Sequence, residues 1–146
     1  MPNSNSRILL VSFNVAGHDS LALGYVKAYA LKDATISRKT HIEILNLSHE
    51  EGDVRQALYY ISDYRPQLIG LSCYCWNMQR MLELARSVKQ IMPKVPIVAG
   101  GPEIGPVADR YLARNPALDI GIHDEGEAVF SDLVKYYLAG KGELAT

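Results

Sequence analysis

The chain has 146 residues, enough for one domain with a sizeable core, and its 48% hydrophobic and 21% charged residues are ordinary for a soluble globular protein. A formal net charge of -1 argues against a general binder of nucleic acid or of anionic membranes. Two cysteines, Cys73 and Cys75, are too few for a structural zinc or iron–sulfur site, no apolar run approaches the length of a membrane span, and residues 1–6 lack the apolar core of a signal peptide, so a cytoplasmic protein with reduced thiols is expected.

Residues 1–6 read as a loose lead-in. Arg7 to Phe13 is an apolar run that predicts a first buried strand. Asn14 to Ser20 is a loop carrying Gly17, His18 and Asp19. Leu21, Leu23, Val26, Tyr29 and Ala30 then recur at helical spacing, with Asp19 or Ser20 as the cap. Thr40 to Leu47 alternates, with Ile42, Ile44 and Asn46 on one face, which suits an edge strand. Val54, Leu58 and Ile61 mark a second helix that must end before Pro66. Ile69 and Leu71 belong to a strand buried on both faces, which stops abruptly at Ser72-Cys-Tyr-Cys-Trp-Asn77. A long amphipathic helix follows from about Asn77 to Met92, with Met78, Met81, Leu82, Ala85 and Val88 as its stripe and Ile91 and Met92 extending it. Val95 to Ala99 is a fourth strand, ending in Gly100-Gly-Pro-Glu103. A helix over Pro106 to Arg114, a short strand over Asp119 to Ile122 and a loop over His123 to Glu127 come next. Ala128, Val129, Leu133 and Tyr136 mark a closing helix, broken by Gly140-Lys-Gly142.

Five strands alternating with five helices imply a parallel sheet with helices on both faces and right-handed crossovers. The expected fold is α/β and flavodoxin-like (Rossmann-like), a three-layer sandwich whose five-stranded parallel sheet has the order 2-1-3-4-5. Its switch point lies between the first and third strands. That places Asn14–Ser20 beside Ser72–Asn77 on the carboxyl rim, with Gly100–Glu103 next along it.

Gly100-Gly101 removes two side chains from a central strand end, which serves close approach of backbone to a ligand. The plainer alternative is a turn that needs positive φ. Ser72 is placed to hydrogen-bond a ligand or to satisfy a loop amide. Tyr74 and Trp76 suit a cleft for a flat apolar group, or ordinary packing over a helix end. The first loop has a single glycine and the chain has no G-x-x-x-x-G-K-[ST], so a dinucleotide or P-loop site is poorly supported. A phospho-acceptor receiver would want carboxylates where this chain has Asn14 and Ser72. A flavin- or nucleotide-binding module and a cofactor-free interaction domain remain open on these residues alone.

The segments Gly-Leu-Ser-Cys-Tyr-Cys-Trp-Asn77, Pro-Ile-Val-Ala-Gly-Gly-Pro-Glu103 and Asp-Glu-Gly-Glu127, in this order and spacing, resemble the cobalamin (vitamin B12)-binding domain that precedes the catalytic barrel of cobalamin-dependent radical S-adenosylmethionine (SAM) enzymes. The general cobalamin-domain pattern is D-x-H-x-x-G, then S-x-L, then G-G. Here the second place reads Ser72-Cys73-Tyr74 and the third is intact at Gly100-Gly101. The first departs: within Ala16-Gly17-His18-Asp19-Ser20-Leu21 the histidine stays, but its carboxylate and glycine are gone. The resemblance implies cobalamin as cofactor, held by Val15, Ala16, Gly17, His18, Asp19, Ser20, Ser72, Tyr74, Trp76, Asn77, Gly100, Gly101, Pro102, Glu103, Glu125, Gly126 and Glu127. It also implies a base-off cofactor, with His18 beyond coordination distance and no metal ligand in this chain. Glu127 is expected to cap the last helix. The [4Fe–4S] cluster and SAM belong to a following domain with a C-x-x-x-C-x-x-C loop. On this expectation residues 7–140 are the cobalamin-binding domain of a longer, methyltransferase-type enzyme, 141–146 begin the linker, and the chain alone is not a catalyst.

Overall fold

The computed structural model describes residues 5–50 and 52–140. Five parallel strands form one sheet in the order β2-β1-β3-β4-β5: β1 Ser6–Asn14, β2 Thr40–Ser48, β3 Leu68–Ser72, β4 Ile97–Gly100 and β5 Ile120–Gly121. This is the flavodoxin-like arrangement expected from the alternation of elements. Among the described residues, six α-helices connect and flank the strands: α1 Leu21–Ala30, α2 Ala34–Lys39, α3 Val54–Tyr64, α4 Met78–Ile91, α5 Ala108–Arg114 and α6 Gly126–Leu138. A 3-10 turn, Gly105–Val107, leads into α5 where one continuous helix was expected. Residues 1–4 of the expected 1–6 lead-in and the expected linker at 141–146 lie outside the described residues, while Ser6 of the lead-in is already in β1, paired with Thr40 of β2.

The starts of α1, α2 and α3 have a local cause in a side-chain cap. Ser20, rather than Asp19, caps α1 by accepting from the Leu23 amide. Asp53 and Gln56 form a reciprocal capping box on α3. The short α2 was missed because six residues, Ala-Thr-Ile-Ser-Arg-Lys, show no repeating stripe. Its signal is Asp33, whose carboxylate accepts from the Thr35 and Ile36 amides.

Two apolar layers sandwich the sheet. Alternate residues Leu9, Val11 and Phe13 of β1 and Ile69 and Leu71 of β3 face α3, α4 and α5. Ile8, Leu10, Leu68 and Val98 face α1, α2 and α6. In α4 the buried stripe runs through Leu84, with Leu82 only partly covered and Ile91 half exposed, which corrects the expected register by two residues at that turn. In α6 the buried residues are Phe130, Ser131 and Val134, whereas Val129 and Tyr136 are exposed. In α1, Leu21 and Tyr29 are also exposed. Leu21, Ala128 and Val129 are apolar without being core because they border cavities on the carboxyl rim.

Candidate functional site

The carboxyl ends of β1, β3, β4 and β5 share one rim, with Ser72 paired to Gly100 across β3 and β4. On the α1/α6 face, a cleft of about 1000 Å³ opens at this rim. Leu10, Gly70, Val98 and Ile122 form its floor on the sheet. Leu23 and Val26 of α1 form one wall, and Val129 and Phe130 of α6 the other. Of the expected site residues, Ser72, Tyr74, Gly100, Gly101, Pro102, Glu125, Gly126 and Glu127 line this cleft.

The two glycines at the end of β4 have different jobs. Gly101 sits at φ 104°, and a Cβ there would lie 2.5 Å from the Cys73 carbonyl oxygen. It is required by the interlocking of the two rim loops, in which the Cys73 amide donates to Gly100 O at 2.8 Å and the Glu103 amide donates to Cys73 O at 3.2 Å. Gly100 has ordinary backbone, and a Cβ there would meet nothing nearer than the Ile122 Cβ at 3.8 Å. Its missing side chain therefore leaves space in the cleft. Gly70, which sequence reasoning did not single out, lies on the floor for a different reason: a Cβ there would press on Leu10 Cδ2 at 2.7 Å, so its missing side chain makes room for Leu10. The available signal was a glycine inside a fully buried central strand, a place where glycine often marks close approach of another group.

Ser72 is almost wholly buried, and its hydroxyl, which makes no hydrogen bond among the described residues, lies on the cleft. His123, also outside the expected set, lines the cleft beyond β5. Its Nδ1–H donates to Gly105 O at 2.7 Å, and its Nε2 lies 3.7 Å from Asp109. Asp124, Glu125 and Glu127 make that side of the mouth acidic. Glu125 is the N-cap residue of α6 and no side chain caps that helix, so the expected capping by Glu127 is not made; Glu127 lies within the first turn.

A second cavity of about 480 Å³ lies beside the first loop, bordered by Asn14, Val15, His18, Asp19, Ser20, Leu21, Ala22, Tyr74 and Trp76. Tyr74 borders both cavities. Its ring stacks on Trp76 with centroids 4.5 Å apart and planes 14° apart. Val15, His18, Asp19 and Ser20 thus belong to the second cavity, and Ala16 and Gly17 to neither. His18 is exposed, and its Nδ1–H donates to the Ala16 carbonyl at 3.1 Å. The carboxylate that the cobalamin pattern sets beside the histidine is absent, and the backbone carbonyl of Ala16 accepts from the ring instead.

Two further expected residues, Asn77 and Glu103, border neither cavity. Asn77 is fully buried; its Nδ2 donates to Phe13 O at 3.2 Å and Ser72 O at 3.0 Å, and its Oδ1 accepts from the Tyr74 amide at 2.8 Å. That side chain is committed to holding the ends of β1 and β3 together. Glu103 points to α5, where it accepts from the Tyr111 hydroxyl at 2.8 Å, a bond that raises the Tyr111 phenol above its ordinary range. Cys73 is buried, and desolvation pushes its thiol up to about 12; Cys75 is exposed and both are free. Among the described residues there is no cluster of three or more His, Cys, Asp or Glu that could hold a metal ion, and no helix long and apolar enough to cross a membrane.

The profile of the B12 binding domain matches residues 7–134. A 2-(S-pantetheinyl)-carbapenam-3-carboxylate methyltransferase from Streptantibioticus cattleyicolor is 29% identical over 136 residues, covering 93% of this chain and 19% of that protein. The cobalamin-dependent radical SAM methyltransferase TokK of Streptomyces tokunonensis is 38% identical over 69 residues, covering 47% of this chain and 10% of TokK. The chain thus spans no more than about a fifth of these relatives. Among solved structures, the cobalamin-dependent SAM radical enzyme OxsB superposes with a TM-score of 0.77 at 19% identity, over 96% of this chain and 20% of OxsB. A receiver domain from Methanospirillum hungatei superposes with a TM-score of 0.65 at 16% identity, over 94% of this chain and 97% of its own. At these identities the structural likeness is one of fold.

Proposed function

The chain belongs to the B12-binding domain family, and from that premise we propose that it holds base-off cobalamin for the catalytic barrel of a radical SAM methyltransferase. The observation that carries the reading is the cleft between α1 and α6, floored where Gly70 and Gly100 lack side chains and edged by the unbonded Ser72 hydroxyl. A flat, largely apolar nucleotide tail fits such a slot: Leu10, Val26, Val98, Ile122 and Phe130 offer apolar walls, and Ser72 offers a hydrogen bond at the rim. The second cavity, with the stacked Tyr74 and Trp76, offers an apolar surface beside the slot for a large ring.

Cobalamin bound there supplies a cobalt centre that can carry a transferable methyl group. This chain's own work is to bind and orient. Gly100 lets backbone approach the ligand, the Gly101–Cys73 interlock holds the two rim loops in register, and Asn77 fixes the ends of β1 and β3. His18 stays out of coordination in this reading: its loop is exposed from Val15 to Asp19, and its Nδ1 is held by a backbone carbonyl rather than by the carboxylate that orients a metal-ligating histidine. The barrel is supported by the named activity of the relatives and by their greater length.

The test is reconstitution with hydroxocobalamin and, separately, with flavin mononucleotide, followed by gel filtration and visible spectroscopy. One equivalent of cobalamin should co-elute, and His18→Ala should leave its spectrum nearly unchanged. Co-elution of flavin but not cobalamin would overturn the reading. A spectral shift in His18→Ala would make His18 a cobalt ligand. A C-x-x-x-C-x-x-C motif in the coding sequence beyond Thr146 tests the barrel.

A further inference from the structure

The β1–α1 loop that borders the second cavity is exposed along 15–19, and its internal contacts are few: the His18 amide on Val15 O and the His18 ring on Ala16 O. Its position is set from below, by polar residues that interrupt an otherwise apolar sheet face. Ile8 and Leu10 of β1 and Ile42 and Ile44 of β2 continue, on the same face, into Ser12, Asn14 and Asn46. Ser12 is fully buried and Asn14 nearly so. The Ser12 hydroxyl donates to Asn14 Oδ1 at 2.6 Å, and Asn14 Nδ2 donates to Asn46 Oδ1 at 2.8 Å. The Ser20 amide donates to the same Asn46 oxygen at 2.9 Å, while the Ser20 hydroxyl caps α1.

This chain of bonds has one possible polarity. A backbone amide can only donate, so Ser20 N–H requires an oxygen from Asn46. That oxygen obliges Asn14 to present its NH2, which turns the Asn14 oxygen toward Ser12 and makes the serine the donor. Every group follows from one amide at the start of α1. Buried polar networks are costly unless fully satisfied, and fully satisfied ones specify a single arrangement.

We propose that Asn46, with Asn14 and Ser12, is a positioning device that holds the 14–20 loop at the height the cofactor requires, and thereby sets affinity at the second cavity. The inference rests on the cobalamin reading for its ligand, and on the bond polarity alone for its structural half. That polarity predicts an asymmetry between two isosteric substitutions. Asn46→Asp keeps the only atom the network uses, an accepting oxygen, so the loop stays in place. Asn14→Asp sets a carboxylate oxygen against the Asn46 oxygen and removes a donor, so the loop is released.

The experiment compares the parent with Asn46→Asp, Asn14→Asp and Asn46→Leu at a temperature where all four are folded by circular dichroism. It reads the Kd for hydroxocobalamin by visible titration, and amide hydrogen exchange at 15–20 in the cofactor-free protein. Asn46→Asp should match the parent within about threefold in both. Asn14→Asp and Asn46→Leu should exchange faster at 15–20 and bind about tenfold more weakly, the penalty when only about a tenth of molecules hold the loop in place. Equal behaviour of the two aspartate variants would overturn the bond polarity. Faster exchange with unchanged Kd would overturn the link to affinity and leave a merely structural network. A parent that exchanges as predicted but binds no cobalamin would sink the cofactor reading while leaving the asymmetry testable by exchange.

Discussion

Adjacent glycines at the end of β4 should respond oppositely to the same change. Alanine at Gly101 places a Cβ 2.5 Å from the Cys73 oxygen and 2.9 Å from its nitrogen, at φ 104°. Backbone in that region costs an L-residue about 1–2 kcal/mol, and relieving the overlap stretches the Cys73 bonds to Gly100 and Glu103 for about as much again. A total of about 3 kcal/mol lowers the melting temperature of a domain this size by about 10 °C. Alanine at Gly100 meets only ordinary contact at 3.8 Å, so the melting temperature should stay within about 3 °C of the parent. Leucine at Gly100 should also fold, but it adds a branched chain to the cleft and should remove cobalamin binding. Thermal unfolding by circular dichroism and visible titration with hydroxocobalamin read the two effects separately. A Gly101→Ala protein as stable as the parent would refute the assignment of that glycine to loop packing. A Gly100→Leu protein with parental affinity would refute the placement of the tail.

Four further outcomes rest on the same packing. Gly70→Val should drive Leu10 into the cleft, weaken cobalamin binding and cost about 1–3 kcal/mol by overpacking, measured by denaturant titration; undiminished affinity would mean that the floor is not used. Asn77→Leu should cost on the order of 3 kcal/mol, because it removes the donor to Ser72 O and the acceptor of the Tyr74 amide and leaves Phe13 O only the longer bond from Trp76 Nε1, and a loss under about 1 kcal/mol would contradict its role as a strand clamp. Iodoacetamide at pH 8 should modify Cys75 once per native chain and Cys73 only after unfolding, counted by mass spectrometry. The same burial predicts alkaline instability: with the Cys73 thiol raised from 9.0 to about 12, the folded chain holds a proton that the unfolded chain loses. Stability from this group is intact below pH 9 and falls as pH rises toward 12, by at most about 1.4 kcal/mol per pH unit; a flat profile over that window would rule out the buried thiol.

Much of the fold was legible because hydrophobic periodicity is a local property. The runs through Ile8–Phe13, Leu68–Leu71 and Ile97–Ala99 could only be strands covered on both faces, and their alternation with helical stripes limits the topology to a few arrangements. The rim order followed from that topology, so Ser72 opposite Gly100 was predictable before any coordinate. What the tertiary structure decided was which way each residue faces and what it touches. Val129 and Leu21 look like core by pattern and instead border cavities. Gly100 and Gly101 look equivalent and are not, because only at Gly101 would a Cβ meet the Cys73 backbone, 28 residues away in the chain. Asn77 reads as a rim ligand, yet its amide is consumed by Phe13 and Ser72. Asn46 reads as an imperfect apolar position and proves to be an acceptor for Ser20 and Asn14. The physical reason is common to all four: spacing along the chain gives a residue's face, but the partner that satisfies a buried polar atom or forbids a Cβ comes from another element, and only the packed chain brings it within 3 Å.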